Sequence, residues 1–263
     1  MARFTTLYSG SSGNCAVIEE NGGYFLIDMG KSCRWTTKAL YEAGLSISNL
    51  KGICVTHEHT DHISGLEVFL RHNNVPVYSG VETLDYLAGK NLVPKTASLH
   101  AVNGAPVEAG GFLIESFDTS HDAVGCKGFR VTTPKGKIIS VATDLGYVST
   151  AVFNGLQGAN LVALEANYDK GMLMTGPYPY YLKTRIASTT GHLGNIESAE
   201  TLLKLLKAGC DKFALCHMSK ENNTTELVMH EMLTTFEAES ARQGEDYLMQ
   251  ISLRHDVSPF IEV

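Results

Sequence analysis

The sequence predicts an α/β fold: two mixed β-sheets with helices packed on their outer faces. Hairpin signals open the chain and recur near residue 136, which antiparallel pairing needs. Later apolar runs alternate with helix-like stretches, which parallel pairing needs. A purely parallel sheet would lack the hairpins, and a helical bundle would lack the strands.

The opening strands are read over residues 3–8, 15–20 and 24–29, the last two joined through Asn21-Gly22-Gly23, residue types that tolerate left-handed backbone. A helix over 32–43 follows, with apolar residues at Trp35, Ala39, Leu40 and Ala43 and Gly44 at its end. A short apolar strand spans 52–56. Strand-like runs at 75–79, 112–116, 128–133, 137–142, 160–165 and 212–216 then alternate with helical stretches near 62–72, 81–89, 195–208 and 222–243. Lys135-Gly136 marks another hairpin turn. With no repeat, low-complexity tract or linker in view, residues 1–263 are expected to form a single domain.

Composition narrows the class. With 44% hydrophobic and 19% charged residues, disordered and fibrous chains are excluded. The formal net charge is −7, and no basic run marks a nucleic-acid arm, so a polyanionic substrate must be held by something other than net charge. The opening MARFTTLYSGSSGN has no apolar core of a signal peptide, so export is not expected. Residues 145–164 are free of charge but too polar to span a bilayer, and no membrane association is expected. Six cysteines without a CxxC pair read as reduced, buried thiols, which points to the cytoplasm.

The chemistry concentrates in Thr56-His57-Glu58-His59-Thr60-Asp61-His62, directly after the apolar run Ile53-Cys54-Val55. By chance these three histidines and one aspartate would fall at set positions about 5 times in 10,000 chains of this composition. His57 and His59 are two apart, so on extended backbone their imidazoles face one side and can grip a single divalent ion. Asp61 and His62 fall in the following turn, free to face a second ion.

An HxHxDH run after a strand resembles the signature of the metallo-β-lactamase-fold hydrolases. That resemblance implies a four-layer αββα sandwich. It also implies a later histidine, an aspartate and a last histidine, each following a strand. His121, Asp144 and His217 stand in those contexts. By the family pattern, His57, His59 and His121 would hold one metal, and Asp61, His62 and His217 the other. Asp144 would bridge them, and a metal-bridging hydroxide would be the nucleophile. The ions would be zinc or manganese. Glu58 has no place in this set and is expected to orient a histidine or face solvent. No GxSxG, Walker or GxGxxG motif competes for the chemistry.

Other segments point to a substrate. Thr190-Gly191-His192 resembles the Ser-Gly-His element of the nuclease branch, which makes His192, with Asp61, a candidate catalytic residue: it would contact the scissile phosphate or protonate the leaving group. LYSGSSGN, THEHTDHISGL, LEANYD, GHLGN and CHMSKENNT resemble the YycJ/WalJ-like subgroup, and together they span most of the chain. That resemblance implies 5′-to-3′ exonuclease activity on DNA. Only about 48 residues separate Asp144 from His192, too few for a β-CASP insertion.

The Ser9–Asn14 segment is read as an anion-binding nest, which makes Ser11, Ser12 and Asn14 candidate substrate contacts. Asn167, Tyr168, Asn222 and Asn223 are read as substrate contacts or as supports for the ligands, and Lys127, Arg130, Lys183, Arg185 and Lys220 as bases that would offset the acidic charge. Two alternatives stand. One is a hydrolase of a small ester, thioester, lactone or cyclic phosphodiester; the other is a non-catalytic metal sensor, which the complete ligand set disfavours. The oligomeric state is not legible.

Overall fold

A computed structural model describes residues 1–263. The first half runs β1 (Arg3–Tyr8), β2 (Cys15–Glu20), β3 (Gly23–Ile27), α1 (Cys33–Glu42), β4 (Leu50–Cys54), α2 (Thr60–Ile63), α3 (Leu66–His72), β5 (Val77–Ser79), α4 (Val81–Gly89) and β6 (Leu99–Ala101). The second runs β7 (Val107–Ala109), β8 (Phe112–Asp118), β9 (Lys127–Thr132), β10 (Ile138–Ala142), α5 (Thr150–Leu156), β11 (Leu161–Glu165), α6 (Lys170–Thr175), α7 (Tyr180–Ile186), α8 (Asn195–Lys207), β12 (Lys212–Cys216), α9 (Thr225–Glu237), β13 (Leu248–Ile251) and β14 (Ile261–Glu262).

Two seven-stranded sheets result, ordered β14-β1-β2-β3-β4-β5-β6 and β13-β12-β11-β10-β9-β8-β7. Each is mixed in the same way. Hairpin-linked strands pair antiparallel, as β1 with β2 and β8 with β9, and strands separated by helices pair parallel, as β3 with β4 and β10 with β11. The expected fold class is the observed one.

Alternation along the strands builds three apolar layers. Phe4, Ile18 and Phe25 of the first sheet meet Phe112, Phe129 and Val141 of the second in one buried cluster between the sheets. The opposite face of the first sheet packs Val17, Leu26 and Ile53 against Leu40, Phe69 and Leu87 of α1, α3 and α4. The opposite face of the second packs Val162, Leu164 and Leu215 against Leu156, Leu202 and Met232 of α5, α8 and α9. This is helix, sheet, sheet, helix.

Three helices, α5 to α7, and the short edge strands β6, β7, β13 and β14 have no counterpart in the sequence reading. The helices have only six or seven residues, too few for a periodic signal, and the edge strands owe their state to a neighbour's backbone. The last helix is shorter than its expected 222–243: Thr224 caps its start by accepting from the Leu227 N–H, and Ser240 is left-handed at φ 62° just past its end. Five cysteines are buried as expected; Cys33, at the start of α1, is partly exposed. No helix is long and apolar enough to cross a membrane.

Candidate metal centre

The candidate residues converge on one edge of the sandwich, where β3, β4, β8, β10, β11 and β12 end. Strand ends are natural sites, because backbone leaving a sheet can aim side chains that the sheet interior cannot. Three residues leave in the left-handed region that non-glycine side chains rarely adopt: Asp28 (φ 66°), Asp144 (φ 57°) and His217 (φ 54°). Each such conformation costs on the order of 1 kcal/mol or more and persists where surrounding contacts over-determine it.

His57, His59 and His121 bring nitrogens within 4.8 Å of one another, and so do donor atoms of Asp61, His62 and His217. His57, His62 and Asp144 form a third set that joins these two. Asp144 lies between them, with Oδ2 3.1 Å from His62 Nε2 and Oδ1 3.7 Å from His121 Nε2. All seven residues singled out by the family pattern are thus brought together.

Three of these five histidines are anchored from behind through one ring nitrogen. His62 Nδ1 donates to Asp28 at 2.7 Å, His121 Nδ1 to the Gly191 carbonyl at 2.9 Å, and His217 Nδ1 to Glu165 at 2.8 Å. Such bonds fix the tautomer and turn Nε2 inward. The Gly191 carbonyl approaches closely because this residue is glycine; a Cβ there would collide with the carbonyls of Arg185 and Ile186. His57 Nε2, His217 Nε2 and Asp144 Oδ2 are buried without hydrogen-bond partners. Three orphaned atoms aimed into one space fit a cation, since buried polar groups are otherwise paired.

The electrostatics agree. Burial opposes charge on His217, but Asp144, Asp61 and Glu165 outweigh it and raise its pKa to about 10. Burial likewise opposes charge on Asp144, yet His217 and His62 hold its carboxyl well below the usual range. His57 goes the other way: burial, reinforced by His62, keeps its imidazole neutral, the form that binds metal. Against the cost of burial, the carboxylates favour positive charge in the pocket, drawing protons onto His62 and His217, and a divalent cation can take the place of those protons.

Asp28 and Glu165 are absent from the sequence reading. Asp28 also accepts from the N–H and hydroxyl of Thr56, and Glu165 from the N–H groups of Leu145 and Leu193 and from His192 Nδ1 at 2.8 Å. Their available signal was an acid closing an apolar strand, as in Leu26-Ile27-Asp28 and Ala163-Leu164-Glu165. His192 stands with its ring 5.2 Å from that of His217 and 5.1 Å from that of His121. It does not cap α8, whose start carries no side-chain cap.

The remaining candidates fall differently. Asn14, Asn167 and Asn222 are buried. Asn14 Nδ2 lies 3.2 Å from His62 Nε2, and Asn167 Nδ2 donates to the His217 carbonyl at 2.8 Å, so both support histidines. Asn223 pairs reciprocally with Asn195. Ser11 and Ser12 are exposed on their turn, but three amides of the expected nest are spent internally: Gly10 on Asn14, Gly13 on the Gly10 carbonyl, and Asn14 on the Asp61 carbonyl. Glu58 orients no histidine; it is partly exposed and accepts from the Val124 N–H at 3.0 Å.

The five expected bases do not form a cluster of free charge. Lys127 pairs with Asp118, Arg130 binds the carbonyls of Gly155 and Gln157, Lys183 those of Met174 and Gly176, Arg185 pairs with Asp122, and Lys220 lies 3.8 Å from Glu221.

Residues 8–138 match the metallo-beta-lactamase superfamily. The chain is 32% identical over 259 residues to exodeoxyribonuclease YycJ of Bacillus anthracis, covering 97% of this chain and 95% of that one. It is 32% identical over 264 residues to exodeoxyribonuclease WalJ of Streptococcus pneumoniae, covering 99% and 98%. The metallo-β-lactamase-fold protein YhfI from Bacillus subtilis has the same fold, with a TM-score of 0.72 at 18% identity over 98% of both chains. Fold and site together define a metal-dependent hydrolase of the metallo-β-lactamase superfamily. Within that superfamily the chain belongs to the YycJ/WalJ-like subgroup.

Proposed function

We propose that this chain is a dinuclear metal-dependent phosphodiesterase, a 5′-to-3′ exonuclease acting on DNA in the cytoplasm as one domain without a β-CASP insertion. The observation that carries the substrate class is the likeness to two exodeoxyribonucleases along 95% or more of their length. His57, His59 and His121 would hold one ion, Asp61, His62 and His217 the second, with Asp144 shared between them. Zinc suits the imidazole donors and manganese the carboxylates. Two bound divalent ions supply charge stabilisation at a phosphoryl oxygen and a water acidic enough to attack near neutral pH.

The chain's own residues prepare that chemistry. Asp28, Glu165 and the Gly191 carbonyl fix three imidazoles so that their Nε2 atoms converge without reorganisation. His192, oriented by Glu165 and partly exposed, would contact the scissile phosphate and give a proton to the leaving oxygen. Burial opposes its charged form, but Glu165 raises its pKa above the ordinary imidazole value, which suits a proton donor.

A second reading, hydrolysis of a small ester, thioester, lactone or cyclic phosphodiester, is favoured by the net charge of −7 and by the engagement of the five expected bases. Bis(p-nitrophenyl) phosphate and an oligodeoxynucleotide tested side by side separate the two. Turnover of the oligonucleotide supports the nuclease; turnover of the small diester alone supports the second reading.

A further inference from the structure

The bases singled out in the sequence are engaged, yet a different group of cations flanks the metal centre and none of the chemistry above uses it. Lys31 is only 8% exposed. Its Nζ lies 4.8 Å from the ring centre of Tyr8 and 4.3 Å from that of Trp35. Its polar partners are the Arg254 carbonyl at 3.3 Å and His255 Nδ1 at 3.1 Å, neither of them a carboxylate. The Arg254 guanidinium makes no ion pair; its Nη1 stands 3.0 Å from where a Cβ on Gly10 would be, against the turn carrying Ser11 and Ser12.

Asp256 and Glu221, whose charges act on Lys31 and Arg254, are exposed, and neither forms an ion pair with them. Burial lowers the Lys31 pKa, with Asp256 opposing and Arg254 reinforcing. Burial, Lys31 and Arg254 lower that of His255, with Asp256 opposing. Cations gathered without a paired carboxylate repel one another, and an anion relieves that repulsion.

The same turn ties the group to the metal centre. Asn14, at its end, donates its N–H to the Asp61 carbonyl at 2.8 Å and lies beside His62. The carbonyl of Met218, next to His217, stands 3.2 Å from the open side of Gly10. Ser11 and Ser12 are exposed there.

We propose that Lys31, Arg254 and the Ser11–Ser12 turn form a phosphate-binding subsite that takes a phosphate of the substrate other than the one being cleaved. The choice of a nucleic-acid ligand rests on the nuclease reading; the affinity for phosphate does not. The phosphate is a terminal monoester or an internal diester. Either way, the subsite answers how a chain of net charge −7 holds a polyanion: by a local cluster and not by its overall field.

Trp35, the only tryptophan, is 47% exposed and stacked on Lys31, so its fluorescence reports on this subsite directly. The metal-loaded enzyme is titrated with inorganic phosphate and with cleavage-resistant phosphorothioate oligodeoxynucleotides carrying a 5′-phosphate or a 5′-hydroxyl. A saturable change in emission is expected. Arg254→Ala should weaken it about 10-fold or more, the loss of a charge-assisted contact, and Arg254→Lys should recover part. Turnover of bis(p-nitrophenyl) phosphate, which carries no second phosphate for the subsite, should stay within about 2-fold of wild type.

Tighter binding of the 5′-phosphorylated strand assigns the terminal monoester; equal binding assigns an internal diester. A response to inorganic phosphate without any to oligonucleotides keeps the subsite and removes the nuclease reading. No saturable response to any probe, or one unmoved by Arg254→Ala, overturns the subsite, even in an enzyme that digests DNA.

Discussion

The two sheets furnish the candidate metal centre in opposite ways. The first supplies His57, His59, Asp61 and His62 from one hexapeptide after β4, so local backbone alone brings them together. The second supplies His121, Asp144 and His217 from the ends of β8, β10 and β12, which only parallel and hairpin pairing bring side by side. Strain marks single residues on both sides: Asp144 and His217 of the second sheet and Asp28 of the first are left-handed, whereas none of the hexapeptide is. A contiguous motif tolerates ordinary backbone, and an assembled one has to be bent into place.

Removing a ligand from either side should have the largest effect. Asp61→Ala and Asp144→Ala are each expected to bring hydrolysis to background while circular dichroism stays native, with bound metal falling by at least one ion per chain. Retained activity with both metals present would break the equivalence of the two sides. Next in size, His192→Ala should lower kcat by about 10²- to 10⁴-fold; metal content unchanged is the result that its proposed role on substrate requires, since His192 also stands within metal-ligating reach of Asp144, Glu165 and His217.

The supporting carboxylates sharpen the contrast. Asp28→Asn loosens one histidine and Glu165→Gln two, His192 and His217, so both should weaken metal binding by about 10- to 100-fold, with the Glu165 variant the weaker binder. Competition with a chelator measures the order. The smallest effect is expected at Glu58: Glu58→Ala removes one partly exposed acceptor from the Val124 N–H and should cost about 1 kcal/mol in denaturant unfolding.

This division also explains what was legible in the sequence. The hexapeptide announced itself by composition and spacing. His121, Asp144 and His217 required the family resemblance to be picked out from bland contexts. Asp28 and Glu165 carried only the weak signal of an acid ending an apolar run, since their importance arises when β3 meets β4 and when β11 meets β12. Long strands such as β8 and β12 were readable because their own side chains decide their state; β6 and β14 were not, because their neighbours do. Arg254 and Lys31, 223 positions apart, meet only in the folded chain.

The central claim is that the centre hydrolyses DNA from a 5′ end. Its most direct test is a time course on duplex DNA labelled at either the 5′ or the 3′ end, with zinc or manganese added and Asp61→Ala as control. Release of 5′-terminal nucleotides by the wild-type chain alone is the predicted result. Intact DNA in every lane, from protein shown to hold two metals, would contradict it and leave the small-substrate hydrolase in its place.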